Sequence, residues 1–207
     1  MKDLVILAAD KDMKVTLSAL LKRTQALRIR PITYDVWNYP NHDSACVSEG
    51  VAYLNGFQGR YSHALLIFDY EGCGKEPRYT LAELADSLVR QFQEGPWKRE
   101  ARAIIINPEL ESWIWSDSPH VAEIIGWKDK TPALKTWLQT QGWLSAQLGA
   151  KPERPKEAFR AALQATRKSP GSHLFQQLAE TVSFQRCADP SFAMFCQTLR
   201  EWFPKED

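Results

Sequence analysis

Residues 63–74 read "HALLIFDYEGCG", and this stretch decides the class of fold. An apolar run leads to Asp69, Glu71 follows one residue later, and the chain then turns at Gly72 and Gly74. Such a run is typical of a strand buried on both faces of a parallel sheet. Because side chains alternate along a strand, Asp69 and Glu71 are predicted to lie on the same side. Two neighbouring carboxylates repel each other, and burial makes each charge more costly. The strand therefore either ends in solvent or ends where a cation binds.

Strand and helix patterns alternate on both sides of this stretch. Further strands are predicted for "LVILAAD" (4–10), "RPITYDVW" (30–37) and "ARAIIIN" (101–107). Helices are predicted at 12–26, at 43–58 and after the capping box of Thr80 and Glu83. This alternation predicts an α/β fold with a doubly wound, mainly parallel four-stranded sheet.

After about residue 117 the sequence predicts helices alone. The pairs Ser118-Pro119, Thr131-Pro132 and Asp189-Pro190 each combine a capping residue with proline at a first helical position. Helices are predicted near 132–141, 156–167 and 172–182, followed by a last helix after Pro190. We therefore expect an α/β domain at residues 1–117 and a helical appendage, residues 118–207, packed on it.

Composition narrows the class of protein and its location. The 207 residues include 26 basic and 25 acidic side chains, so no strong overall field attracts nucleic acid. Any contact with nucleic acid must therefore use local patches. No apolar run approaches the roughly 18 residues of a membrane span, and the N-terminus does not resemble a signal peptide. The four scattered cysteines are expected to be reduced, which favours a cytoplasmic protein without a membrane partner.

Acidic residues follow three of the predicted strands. Asp10 ends the first, Asp69 and Glu71 end the third, and Glu109 and Glu111 follow the fourth. Ligands of open α/β sheets bind outside the carboxyl ends of the strands. An acid at a strand end is commonly a solvated turn residue or a helix cap. Five acids at one sheet edge instead favour a hard cation, Mg²⁺ or Mn²⁺, because all of these donors are oxygen atoms.

The motifs resemble a known family. An acid after the first strand, a DxD or DxE pair after the third and the β-α-β-α-β-α-β frame are similar to a TOPRIM domain over residues 1–117. The blocks "DYEGCG", "PELESWIWSDSPHV" and "RPKEAF" resemble a small TOPRIM-like component of the methylation-associated defence system, over nearly the whole chain. The resemblance places Asp69 and Glu71 at the DxD pair and Asp10 where the family carries glutamate.

The resemblance implies a Mg²⁺-dependent nuclease of a bacterial anti-phage or restriction locus. Asp10, Glu71 and Glu111 would be catalytic, and the same three residues would bind the metal together with Asp69 and Glu109. Lys75, Arg78 and Lys156 would contact nucleic-acid phosphates. Other proteins of the defence system would be partners.

Two alternatives remain open at this stage. A non-catalytic sensor or adaptor that keeps the fold is favoured by the neutral charge and by aspartate, which is one methylene shorter than glutamate, at position 10. A receiver-like phosphoacceptor is suggested by "VILAADKDM" and "LLIFD". The acids of "NPELES" and the lack of a clear lysine after a fifth strand argue against the receiver. His120 could exchange protons, and Trp113 and Trp115 could stack on a base, but a surface histidine and packed tryptophans are the more common outcomes.

Overall fold

The structure, a computed structural model, describes residues 1–39, 42–116, 118–145 and 151–205. Within these ranges it contains one sheet of four parallel strands in the order β2-β1-β3-β4. The strands are β1 (Lys2–Ala8), β2 (Tyr34–Asn38), β3 (Tyr61–Asp69) and β4 (Ala101–Ile106). The predicted α/β class and parallel four-stranded sheet are thus confirmed.

Helices connect the strands and make up nearly all the regular structure after β4. The described ranges contain α1 (Lys11–Leu21), α2 (Thr24–Leu27), α3 (His42–Asn55), α4 (Leu81–Glu94), α5 (Glu111–Ile114), α6 (Pro119–Ile124), α7 (Leu134–Thr140), α8 (Pro155–Thr166), α9 (Ser172–Thr181) and α10 (Pro190–Trp202). A short 3₁₀ helix, Phe184–Arg186, precedes α10. None of the described helices is both long enough and apolar enough to cross a membrane.

Burial explains why the two apolar runs form the central strands. Residues 4–8 of β1 and 64–68 of β3 are almost completely inaccessible to solvent. Each of these strands has a partner strand on both sides, so apolar side chains are needed on both faces. The outer strands β2 and β4 are only partly buried along their length.

The strand order of the sheet reverses between β1 and β3, although all four strands are parallel. β2 lies beside β1 on one side, and β3 followed by β4 lies on the other. Ala8 pairs with Ile67, so Asp10 and Asp69 each lie two residues beyond a matched pair. In open α/β sheets such a point, at the carboxyl ends of the strands, forms the ligand-binding crevice.

Side-chain caps fix the starts of several helices. Asp10 caps α1, and Thr80 and Glu83 form the predicted capping box at the start of α4. Asp189 caps α10, with Pro190 at its first position. These caps confirm the predicted helix starts at α4 and α10.

Two predicted helices differ from the observed ones. The predicted helix 12–26 is divided into α1 and α2, because the backbone of Arg23 leaves the helical conformation while its guanidinium binds the carbonyls of Ala179 and Val182. The predicted helix at 132 begins only at Leu134, with Ala133 as its N-cap. The Pro132 carbonyl instead accepts a hydrogen bond from the indole of Trp127 at 3.0 Å. The prediction of a Thr131-Pro132 helix start was therefore wrong.

The C-terminal helices share the core of the sheet. α9 packs against α1, and α10 packs against β4. A continuous cluster of buried apolar residues extends from the strands into these helices. The predicted boundary at residue 117 falls on a residue outside the described ranges, and the division into two domains stays a prediction.

Candidate active site

Asp10 lies just beyond β1, where its side chain caps the start of α1. Its Oδ1 accepts a hydrogen bond from the backbone N–H of Met13 at 2.7 Å. This bond caps α1 and orients the carboxylate toward the first turn of that helix. Asp10 is partly buried, so it remains accessible at the carboxyl edge of the sheet.

Asp69 is the last residue of β3 and is only 7% exposed. Its negative charge contributes to raising the pKa of Lys156, which lies at the start of α8. The end of β3 is therefore buried, whereas a simple surface turn would be exposed to solvent. Asp69 faces a basic side chain supplied by the helical part of the chain.

Glu109 is buried and is held by Lys156 through two hydrogen bonds. Glu109 Oε1 accepts from the backbone N–H of Lys156 at 3.1 Å, and Oε2 accepts from its Nζ at 3.1 Å. Partial burial lowers the pKa of Lys156, but the bond to Glu109 and the charges of Glu109, Glu111 and Asp69 outweigh it and raise this pKa. Lys156 is therefore a cation at neutral pH.

Glu111 begins α5 and is 7% exposed. Burial raises the pKa of Glu111 to about 7, and the negative charges of Glu109 and Asp10 act in the same direction. The backbone N–H of Glu111 and the charge of Lys156 oppose this shift. A carboxyl group with this pKa can both accept and donate a proton near neutral pH.

These electrostatic effects link five side chains from four segments of the chain. The charges of Asp10, Glu109 and Lys156 shift the pKa of Glu111. The charge of Asp69 in turn contributes to the raised pKa of Lys156. The carboxyl ends of β1, β3 and β4 and the first turn of α8 thus meet at one edge of the sheet. The structure brings together Asp10, Asp69, Glu109 and Glu111, and it adds Lys156 as their positive neighbour.

Glu71 has a different environment from these four acids. β3 ends at Asp69, so strand alternation does not continue to Glu71, whose side chain is exposed. Its backbone N–H donates to the Pro108 carbonyl at 3.0 Å, which fixes the loop beside the segment after β4. Glu71 therefore lies at the rim, on the loop after β3.

The loop after Glu71 is organised by a residue that the sequence did not single out. The carboxylate of Glu76 accepts a hydrogen bond from the N–H of Gly72. Although slight burial opposes the shift, bonds from backbone N–H groups, those of Gly72 and Gly74 among them, lower the pKa of Glu76. Gly72 and Gly74 have positive φ angles of 90° and 74°, a conformation that glycine adopts without strain. Lys75 and Arg78 lie on this loop, partly buried and exposed respectively.

The remaining sequence candidates have structural environments. The indole N–H groups of Trp113 and Trp115 donate to Ser191 Oγ at 2.7 Å and to the Pro155 carbonyl at 2.9 Å. Both rings are buried, so the packing interpretation of these tryptophans is confirmed. His120 is half-exposed and lies 3.5 Å from the carboxylate of Glu123 on its own helix.

The donor chemistry of the site fits a hard divalent cation. All four converging acids offer carboxylate oxygens, which Mg²⁺ and Mn²⁺ prefer. Within the described ranges, no three His, Cys, Asp or Glu side chains form a ready-made ligand group. A Mg²⁺ ion typically needs only one or two protein carboxylates, with water and substrate phosphate completing its shell. The residues are thus compatible with an ion that binds together with a phosphate substrate.

Comparison with known proteins identifies no related protein. No protein-family model matches the chain, and neither the curated proteins nor the solved structures contain a significant match. The assignment of function consequently depends on the residues at the carboxyl edge of the sheet.

Proposed function

We propose that the protein is a divalent-metal-dependent nuclease that hydrolyses phosphodiester bonds of nucleic acid. One observation carries this proposal, namely that four carboxylates and one lysine converge where the strand order of the sheet reverses. The pKa values of Glu111 and Lys156 support this convergence, because the charges of the neighbouring acids contribute to both shifts. Open α/β sheets bind their ligands at this position.

Each residue has a role that follows from its environment. Asp10, Asp69 and Glu109 would hold Mg²⁺ or Mn²⁺, with Glu71 and Glu111 as the further ligands proposed from the sequence. The bound ion would supply charge neutralisation at the phosphate and lower the pKa of a bound water. Glu111 would accept or return a proton at its carboxylate, since its pKa is about 7.

Positive side chains would position the substrate. The Nζ of Lys156 would bind a phosphate oxygen, because it already lies among the acids that surround the site. Lys75 and Arg78 would contact the neighbouring backbone phosphates from the loop after β3. The near-zero net charge of the chain makes these local contacts necessary.

The wider assignment rests on sequence motifs. We propose that the chain is a TOPRIM-like protein of a bacterial anti-phage locus, closest to a component of the methylation-associated defence system. The DxE pair at Asp69 and Glu71 and the acids of "NPELES" support this assignment. Other proteins of the same system would then be its partners.

The experiment is a cleavage assay with purified protein at low ionic strength. Labelled single- and double-stranded DNA and RNA are incubated with Mg²⁺, with Mn²⁺ or with EDTA. We expect cleavage with either metal and none with EDTA. Glu71→Gln and Glu111→Gln should abolish cleavage, whereas Glu153→Gln, an exposed control, should not. Cleavage that survives Glu71→Gln would overturn the catalytic assignment, because the activity would then come from a contaminating nuclease or from a site elsewhere.

A second candidate function is a non-catalytic sensor or adaptor. It is favoured by the structural tasks of two acids, because Asp10 caps α1 and Glu109 binds the start of α8. In this role the acids would maintain the fold and the partner surface without cleaving substrate. Absence of cleavage on all four substrates with both metals would favour the adaptor over the nuclease.

A further inference from the structure

A groove runs along the outer edge of β4, between α4 and α10. It consists of two connected cavities of about 390 Å³ and 520 Å³, which share Ala85, Ala103 and Met194 in their walls. We call it the β4 groove. None of the described residues that line it is an acid of the candidate active site. The groove is therefore a separate feature of the molecule.

The floor of the β4 groove is a strand edge without a partner strand. Ala64 of β3 pairs with Ala101, and its N–H donates to the Glu100 carbonyl at 2.9 Å. Bonds to one neighbouring strand alternate along a parallel strand, so Ala101, Ala103 and Ile105 direct their N–H and C=O groups outward. Within the described ranges, β4 pairs with β3 alone. Such an edge is a template for a further strand.

Exposed apolar side chains lie on both sides of this edge. Val89 of α4 is 48% exposed and Met194 of α10 is 49% exposed, and both line the same cavity as Ala103. α10 packs on the face of β4 that carries Arg102, whose guanidinium donates to Thr198 Oγ at 3.0 Å. Ala103, the next residue, faces the opposite side, where α4 packs. A partner that fills the groove must therefore offer apolar contacts on both faces of the sheet as well as a strand.

The rim of α4 beside the groove carries two opposite charges. Asp86 follows Ala82 by four residues and precedes Val89 by three, so it borders the groove wall that these two residues form. Arg90 lies one helical turn after Asp86. Both charged side chains are exposed, and among the described residues neither has an ion-pair partner. The rim thus presents an acid and a base to any protein that docks there.

A two-fold pairing of this chain with itself satisfies all of these features. Two β4 strands that pair antiparallel, about an axis at Ala103 perpendicular to the sheet, place both copies of α4 on one face and both copies of α10 on the other. Val89 and Met194 would then each meet their counterpart near the axis. Asp86 of one copy would face Arg90 of the other, because the two α4 helices run in opposite directions. A lone peptide strand could bond to the edge but would leave these charges unmatched.

We propose that the β4 groove is the interface of a homodimer, in which the two β4 strands join two four-stranded sheets into one continuous sheet. Two-fold dimers are the commonest symmetric assemblies of soluble proteins. The carboxyl edges of the two sheets then point in opposite directions, so the two candidate active sites lie at opposite edges of the joined sheet. The dimer does not depend on the nuclease function.

Sedimentation velocity of the full chain over a series of concentrations tests the proposal, with EDTA present to exclude bridging by metal ions. We expect a reversible shift from the monomer to twice its mass. Ala103→Pro should abolish the dimer, because proline removes an outward N–H while the bonds from β4 to β3 remain. Met194→Lys should raise the dissociation constant at least about tenfold, since it buries charge in the apolar contact near the axis. A monomer at every concentration would overturn the proposal.

Matched variants locate the interface. Trp37→Lys, at a 45% exposed position of the other edge strand β2, should leave the dissociation constant unchanged. Asp86→Arg should weaken the dimer, because position 86 then faces an arginine of the other copy. Asp86→Arg combined with Arg90→Asp should restore it, since the exchanged charges match again. These variants and Met194→Lys change exposed side chains only, so they test the interface even if Ala103→Pro unfolds the chain. A dimer that Met194→Lys leaves intact, or no recovery on charge exchange, would overturn the proposal.

Discussion

Lys156 binds Glu109 with both its main chain and its side chain, at 3.1 Å in each case. The two residues are 47 positions apart, and they join the segment after β4 to the first turn of α8. Glu109 is almost fully buried, whereas the side chain of Lys156 is 38% exposed. The pair therefore combines a structural connection with a cation that can be reached from solvent.

Removing the lysine side chain should destabilise the fold. Lys156→Met leaves the buried carboxylate of Glu109 with only the backbone N–H, and we expect a loss of about 1–3 kcal/mol in the free energy of unfolding. Glu109→Gln should cost less, because an amide oxygen still accepts from that N–H. Urea unfolding of both variants and their combination gives the coupling energy, which should clearly exceed zero. Lys128→Met serves as the control, since its ion pair with Glu123 is exposed to solvent and contributes little to stability. Strictly additive effects of the two substitutions would contradict the importance of the pair.

Glu111 should make metal-free protein less stable as the pH rises. Its pKa is about 7 in the fold and has the ordinary glutamate value of 4.5 in the unfolded chain, so the folded state binds the proton more tightly. The stabilisation is fully present below pH 4.5 and is lost as the pH rises through 7, by roughly 3 kcal/mol in total.

Glu111→Gln cannot ionise, so it should be more stable than the wild type at pH 8 and should lack this loss. Melting curves in EDTA from pH 4.5 to 8 measure the effect, with Glu153→Gln as the control. Parallel curves for wild type and Glu111→Gln would contradict the raised pKa.

Divalent metal should raise the melting temperature. A ligand that binds only the folded state stabilises it in proportion to the logarithm of its concentration. Asp69→Asn should remove most of this gain, whereas Asp86→Asn, at an exposed position of α4, should retain it. Without metal, Asp69→Asn should be neutral or mildly stabilising, because it relieves repulsion among the converging acids. A flat melting temperature across Mg²⁺ and Mn²⁺ titrations would argue against a metal site.

His63 should reduce stability in mild acid. Its ring stacks on Trp202 with centroids 4.6 Å apart, and its buried Nδ1 has no hydrogen-bond partner among the described residues. Burial lowers the pKa of His63, so the folded state favours the neutral ring. The free energy of unfolding should therefore fall as the pH drops below the ordinary value of 6.5.

The test of this prediction is a comparison of His63→Phe with the wild type from pH 7.5 to pH 5. Phenylalanine keeps the aromatic contacts and removes the titrating group, so the variant should lose less stability over this range. His120→Gln, at an exposed position, should behave like the wild type. An equal loss in His63→Phe and wild type would exclude His63 as the source.

Local patterns were sufficient to predict the sheet and part of the site. The apolar runs at 4–8 and 64–68 have no alternation, so they predict central strands, and Asp10 and Asp69 follow from where those runs end. Alternation did not predict the environment of Glu71, because the strand ends two residues earlier. The hydrogen bonds between Glu109 and Lys156 depend on how α8 docks, and no local pattern encodes that distance.

The attachment of α8 to the segment after β4 constrains how these two parts of the chain can evolve. Three hydrogen bonds join them, two from Lys156 to Glu109 and one from Trp115 to Pro155. A recombination event between diverged genes that fell between α5 and α8 would separate the four acids from Lys156. The early strands and the late helices should therefore be transmitted together, and a substitution at 109 should be accompanied by one at 156.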